Sequence, residues 1–270
     1  MVDFYPEMQE TKVMTMATRH RSGKALALLL AVLLTHAALA APVTQTKGEA
    51  SQRRGGAYLR LAQVPPEIHE IKRYTGLHAA AANGETTSIS RLASAGENIN
   101  ARDSHGRTPL MVAAYAGHRA TAKALIAAGA NINALDYQRY DLLTIVSVLN
   151  DLDMVKLAFA SGADAKLITS PYDGTALIAA AHLGHVEVVR ALIKGNSPLD
   201  HVNNLGWTAL IEAIVLGDGG PRHTAIVGDL IKAGANLDLA DGQGNTPLAL
   251  AHQHGYQAII DILRQAGARP

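Results

Sequence analysis

The sequence predicts an all-α repeat solenoid of about six helix–turn–helix units with hairpin loops between them, filling residues 67–270. Two phased glycine series and one recurring helix start predict it. Glycines follow Ala-rich segments at Gly84, Gly117, Gly184, Gly217 and Gly255. A second series follows Leu-rich segments at Gly96, Gly129, Gly162, Gly234 and Gly267, in steps of 33 and 33, then 34 to Asn196, then 38 and 33. Asn replaces Gly best in the left-handed turn that ends a helix, so Asn196 keeps the phase. A fixed period of this size is the mark of stacked repeats.

Each unit opens with a helix start. Thr108-Pro109-Leu110 and Thr246-Pro247-Leu248 put a hydroxyl at the N-cap and Pro at the first helical position, where its missing N–H costs nothing. Thr75, Thr175 and Thr208 keep the cap, with Gly76, Ala176 and Ala209 in the Pro position. Small residues such as Ala113-Ala114 and Ala180-Ala181 then let neighbouring helices approach. A Gly turn leads to a second helix ending in Leu125-Ile126, Leu192-Ile193 or Leu230-Ile231, and an Asp/Asn-rich hairpin closes the unit.

These motifs resemble the ankyrin repeat family, with units at about 73–103, 104–136, 137–169, 170–203, 204–241 and 242–270. The resemblance covers roughly three quarters of the chain and implies a curved stack of helix pairs. The terminal units carry polar surfaces (Glu85, Thr86, Ser88, Arg91 at one end; Gln253, Gln257, Asp261, Arg264 at the other), as ends without a neighbour require. Two units depart from the pattern. In the third, Asp141-Leu142-Leu143 stands for Thr-Pro-Leu and Asn150-Asp151 for Gly-His; a carboxylate still serves as a cap and Asn150 as a left-handed turn. The fifth carries five extra residues, Asp218, Gly219, Gly220, Pro221 and Arg222, before His223 resumes the register.

The N-terminus reads as an address. Arg19, Arg21 and Lys24 precede an apolar run from Ala25 to Leu34, and small residues at Ala38 and Ala40 predict secretory cleavage between Ala40 and Ala41. The run falls short of the ~20 residues that span a bilayer, so no stable membrane span is expected after cleavage; a retained anchor is the alternative. Asp3, Glu7 and Glu10 are foreign to such a signal, and Met14 or Met16 gives a cleaner start than Met1. Residues 1–40 form the extension and signal, and 41–66 a flexible linker ending in Pro65-Pro66. From residue 41 onward the chain holds 20 basic and 20 acidic residues, which gives no support to nucleic-acid binding. Cysteine is absent, which excludes thiolate metal sites and disulfides and suits an oxidising compartment. The expectation is a periplasmic or secreted protein, monomeric, from a bacterial source.

No motif makes a catalytic case. G-x-S-x-G, the P-loop and the dinucleotide fingerprint are missing, so neither an enzyme nor a cofactor is expected. Twelve histidines raise a metal- or anion-dependent hydrolase as one reading, with His118, His185 and His223 in equivalent turn positions. No HExxH accompanies them, and no metal site is expected. The family resemblance gives the plainer account: His after the turn Gly packs and hydrogen-bonds between units.

Binding is better marked. Of eleven aromatic residues, Tyr137, Tyr140, Tyr172 and Trp207 fall in the hairpins of units three to five. The resemblance implies that hairpin tips and first helices form the partner-binding surface, and Tyr and Trp are frequent interface anchors. Arg139, Asp173 and Asn204 lie beside them, and Tyr115 extends the patch along a first helix. Trp207 and Tyr140 alternatively pack on the adjacent hairpin. The first expectation is thus a non-enzymatic module holding another protein through 136–141, 169–174 and 203–207. The second is a regulatory, inhibitory or protective partner of an exported enzyme, using the 218–222 loop. There, Gly219-Gly220 before Pro221 offers N–H groups beside Arg222 to an anion, unless Asp218 takes those donors itself.

Overall fold

The computed structural model describes residues 63–269. The signal segment, its cleavage site and residues 41–62 of the linker lie outside the described residues. One turn of helix, α1 (Ile68–Ile71), precedes six helix pairs. These are α2 (Gly76–Asn83) with α3 (Thr86–Ser94), α4 (Pro109–Tyr115) with α5 (Arg119–Ala127), and α6 (Leu142–Val148) with α7 (Leu152–Ala160). The remaining three are α8 (Ala176–His182) with α9 (Val186–Lys194), α10 (Ala209–Val215) with α11 (Pro221–Lys232), and α12 (Pro247–His254) with α13 (Gln257–Gln265). Among the described residues, extended pairing is confined to one bridge, Thr169 with Gly174.

The caps work as the sequence predicts, with one exception. Thr108, Thr175, Thr208 and Thr246 each accept a hydrogen bond from the backbone N–H three residues on. Asp141 does the same for Thr144 at 2.8 Å, so the degenerate third unit keeps its helix start. Asn150 and Asn196 take the left-handed backbone expected of them (φ +55° and +61°). Thr75 makes no cap bond. Glu97 from the following hairpin takes over, accepting from Leu77 N–H at 3.0 Å. Gly76 permits this, because a Cβ there would collide with the incoming carboxylate.

First helices stack in order from α2 to α12. Second helices pack as α3 on α5 and as α7 through α13, with the α5–α7 junction more open. The core runs between the layers without a break, from Leu77 and Ile89 through Leu110, Leu143 and Leu177 to Leu263. Alanines at the first-helix contacts (Ala81, Ala113, Ala180, Ala213) are fully buried, which is how short helices pack closely enough to exclude water.

Polar staples join the units at both ends of the helices. The residue after each turn reaches back to a carbonyl at the end of the preceding first helix: His118 to Ala82 (3.1 Å), His185 to Ser147 (3.0 Å), His223 to His182 (3.1 Å), and Tyr256 to Gly217 (2.9 Å). This is the packing role expected for the histidines. Unit three has Asp151 there, which cannot donate, and the link is reversed: Arg119 of unit two pairs with it at 2.8 Å. At the hairpin end, the side chains of Asn100, Asn133, Asp200 and Asp238 accept from the backbone N–H of Asn131, Asp164, Asn236 and Arg269. One rung is missing, and both partners are lost together. Lys166 stands in the acceptor position and Pro198, which has no N–H, in the donor position.

Restoring that rung requires both changes. In a double-mutant cycle of Lys166→Asn and Pro198→Asn, the pair is expected to show a favourable coupling of about 1 kcal/mol in chemical denaturation, the net worth of one hydrogen bond. Strictly additive single effects would refute the assignment.

Candidate functional site: the hairpin face

Four hairpins are tied by the same knot. The side-chain oxygen of Asp103, Asp136, Asn203 or Asp241 accepts from the N–H groups two and four residues ahead. The residue three ahead turns left-handed, and it is glycine at Gly106, Gly206 and Gly244 (φ +78°, +83° and +84°). In the hairpin of unit three that residue is Arg139, at φ +66°. A side chain with a Cβ pays about 1–2 kcal/mol for this conformation.

The next hairpin is built differently. It holds one more residue than its neighbours, which accounts for the step of 34 in the glycine series. Thr169 replaces the knotting Asp, meets Thr144 through their hydroxyls at 2.9 Å, and donates its N–H to Gly174 at 2.8 Å. The extra residue is absorbed by two left-handed positions, Ser170 (φ +64°) and Asp173 (φ +52°). Three strained non-glycine residues therefore sit in two adjacent hairpins. Two of them, Arg139 and Asp173, form an ion pair at 2.7 Å. Both are half exposed, so the pair returns less than about 1 kcal/mol. It does not offset the strain.

The predicted binding residues divide on this frame. Tyr137 is 68% exposed, with its ring over Gly106 of the preceding hairpin. Arg139 and Asn204 are exposed, and Tyr172, Asp173 and Trp207 are partly buried. Asn204 spans to the neighbouring hairpin, donating to Pro171 O at 3.0 Å and, from its backbone, to Tyr172 O at 2.9 Å. Arg139 is tied to Asp173 and Asn204 to residues 171 and 172, whereas Trp207 packs partly against the core, the alternative the sequence left open for it. Two others are not open rings. Tyr140 belongs to the apolar core at 6% exposure, and Tyr115 is largely covered, with its hydroxyl buried. Burial drives both phenols well above the ordinary tyrosine range. Their phase places them against the stack, the packing alternative the sequence left open for Tyr140.

The inserted residues at 218–222 form a closed turn. Asp218 Oδ1 accepts from Gly220 N–H at 2.9 Å and lies 2.8 Å from His223 Nδ1. Burial would raise the Asp218 carboxyl, but its hydrogen bonding with His223 and Gly220 holds it below the usual range. The cradle that the sequence offered to an anion is filled by the chain's own carboxylate. Gly219 is left-handed under the Tyr256 ring, Pro221 opens α11, and Arg222 remains exposed. The insertion thus gives α11 an extra turn rather than a wide loop.

Sequence reasoning missed two polar clusters. Arg107, with a fully buried side chain, binds Asp103 Oδ2 at 2.6 Å and Glu70 Oε1 at 2.8 Å. The Tyr74 hydroxyl donates to Asp103 at 2.6 Å, and His105 lies 2.9 Å from Glu70. This network fastens α1 to the first hairpin. Glu212 is also buried, in a phase where other units carry Val112, Ile145, Ala179 and Leu250. It accepts from Asn203 Nδ2 at 2.9 Å and faces His182 Nδ1 at 3.3 Å. The signal for both was a charged residue at an otherwise apolar or variable phase.

With the geometry in hand, the class is a solenoid of stacked helix pairs whose hairpins form one edge. The chain belongs to the ankyrin repeat family. A family model described as ankyrin repeats (3 copies) matches residues 51–136 and 142–239. The ankyrin repeat protein YahD of Escherichia coli (strain K12) is 34% identical over 190 residues, covering 70% of this chain and 94% of that protein. The crystal structure of an ankyrin repeat domain (ABAYE2397) from Acinetobacter baumannii AYE is 46% identical with a TM-score of 0.69, over 72% of this chain and 98% of that one. A chain in the complex of the predatory endopeptidase Bd0816 from Bdellovibrio bacteriovorus with immunity protein Bd3460 is 26% identical with a TM-score of 0.61, over 71% and 98%. Membership of the family implies a protein–protein interaction module.

The Arg107 network carries a pH prediction. Burial pushes Glu70 and Asp103 up, but hydrogen bonds, to Glu67 N–H and Arg107 at Glu70 and to Tyr74 and Arg107 at Asp103, hold both below ordinary carboxylate values. Depressed folded values mean stability present above the unfolded values and lost as pH falls through the folded ones. Arg107→Met should cost about 3–5 kcal/mol at neutral pH by leaving two buried carboxylates without a cation. The loss should shrink in acid. Hydrogen exchange of α1 and α2 amides reads it locally, and a pH-independent deficit would contradict the network.

Proposed function

We propose that the mature protein, cleaved between Ala40 and Ala41 and located in the periplasm or secreted, is a monomeric scaffold. It holds another protein through the hairpin face formed by 136–141, 169–174 and 203–207. Tyr137, Tyr172 and Trp207 supply contact area at small entropic cost, and Arg139, Asp173 and Asn204 supply polar contacts around them. The observation that carries this reading is the concentration of left-handed non-glycine residues, Arg139, Ser170 and Asp173, in two adjacent hairpins. Left-handed non-glycine residues concentrate where a surface serves recognition.

A second reading is supported by the likeness to a chain from the endopeptidase–immunity protein complex. Here the protein restrains or protects an exported enzyme, using the exposed Pro221–Arg222 shoulder at the start of α11.

Arg139→Gly separates stability from binding. The variant should be more stable by about 0.5–1 kcal/mol, since glycine relieves the left-handed strain and the exposed pair is worth little. Its capture of the partner from a periplasmic extract should fall about tenfold. Tyr172→Ala and Trp207→Ala should weaken capture by about 1–2 kcal/mol each. Unchanged capture in all three, with loss on removing 218–222, would replace the first reading with the second. Mass spectrometry of the mature chain should begin at Ala41.

A further inference from the structure

One phase of the hairpins is apolar where solvent reaches it. The residue just before each knot, or before Thr169 where the knot is replaced, is Arg102 in the first unit and then the apolar Leu135, Ile168, Val202 and Ala240. Ile168 and Val202 are 44% and 45% exposed, and Leu135 is partly buried. Adjacent hairpins are bonded to one another, so these side chains succeed each other at one repeat spacing. Arg102 donates to Leu135 O at 2.5 Å, Arg139 to Ile168 O at 3.3 Å, and Asn204 N–H to Tyr172 O at 2.9 Å. Arg102 also donates to Gly106 O at 2.8 Å, the glycine on which Tyr137 rests. The row therefore begins at the most exposed hairpin aromatic of the face.

Arg139 is paired with Asp173, but two other cations along this row have no carboxylate partner among the described residues. Among the described residues, the ion pairs include none for Arg102 or Lys166, which lies two positions before Ile168. Lys166 is also the residue that breaks the hairpin ladder, so its ammonium is not engaged as the corresponding Asn and Asp side chains are.

Spacing selects what fits. Packed helical units repeat at about 8–10 Å. On an α-helix, residues seven apart lie on one face and are about 10.5 Å apart. An extended strand covers about 10 Å in three residues, which places successive side chains on opposite faces. A strand cannot fill the row with neighbouring anchors; a helix can. Resting on the protein-binding reading above, we infer that the partner presents an amphipathic helix along the hairpins. Three aliphatic residues at seven-residue spacing meet Leu135, Ile168 and Val202, and acidic residues face Arg102 and Lys166.

The test uses the mature protein and a labelled synthetic 20-residue peptide. It carries Leu at three positions seven apart, Glu at the flanks and a helix-favouring background. A control holds the same residues with the leucines five apart. Fluorescence anisotropy should show saturable binding of the first peptide at least tenfold tighter than the control. Ile168→Asp and Val202→Asp should each weaken it at least fivefold, with circular dichroism unchanged. Arg102→Glu should weaken it, and a peptide with Lys at the facing flank should recover the loss. Equal binding of both peptides, no binding at all, or indifference to Ile168→Asp and Val202→Asp would overturn the inference. Partner capture that still depends on Tyr172 and Trp207 would then leave the broader binding reading standing.

Discussion

Everything in this molecule depends on burial between neighbours. A single pair of short helices has too little apolar surface to offset the entropy of ordering itself, so each unit is stable only against the next. The alanines of the first helices allow the close approach, and the row from Leu77 to Leu263 makes the core continuous. The staples from His118, His185, His223 and Tyr256 add direction, because each aligns one first helix with its successor. Long-range order is built from short-range contacts, and it leaves the hairpin edge free to vary.

That division of labour explains why some features were legible and others were not. Caps, left-handed turns and helix pairs follow from local rules, and Asp141, Asn150 and Asn196 obey them even where the repeat signature is worn. Glu97 capping α2 was not legible, because it comes from the hairpin 20 residues away rather than from Thr75. The Arg107 network was hidden for the same reason. Glu70 and Arg107 lie 37 residues apart, and only the folded chain brings α1 to the first hairpin.

The binding face was half legible. Aromatic positions located the hairpins, but the sequence alone did not divide exposed Tyr137 from buried Tyr140, three residues away. The turn at 218–222 shows a similar limit. Both donors and a competing acceptor were visible, and only geometry decided that Asp218 holds Gly220 N–H and His223. The strain at Arg139 was readable by phase, since Gly106, Gly206 and Gly244 occupy its place in hairpins of the same length. What the fold does not require is therefore what draws notice: an arginine where glycine fits, a hairpin with one residue too many, and a buried Glu212 among apolar counterparts.

The account stands or falls on which surface meets the partner. A photo-crosslinking amino acid placed at Tyr172 or Tyr137 in the exported protein, and at Lys156 or Arg190 on the outer helices as comparison, tests it in the native compartment. Crosslinks to one protein species from the hairpin positions, and none from the outer helices, is the predicted result. The same species crosslinked from Lys156 and Arg190 but not from the hairpins would contradict it.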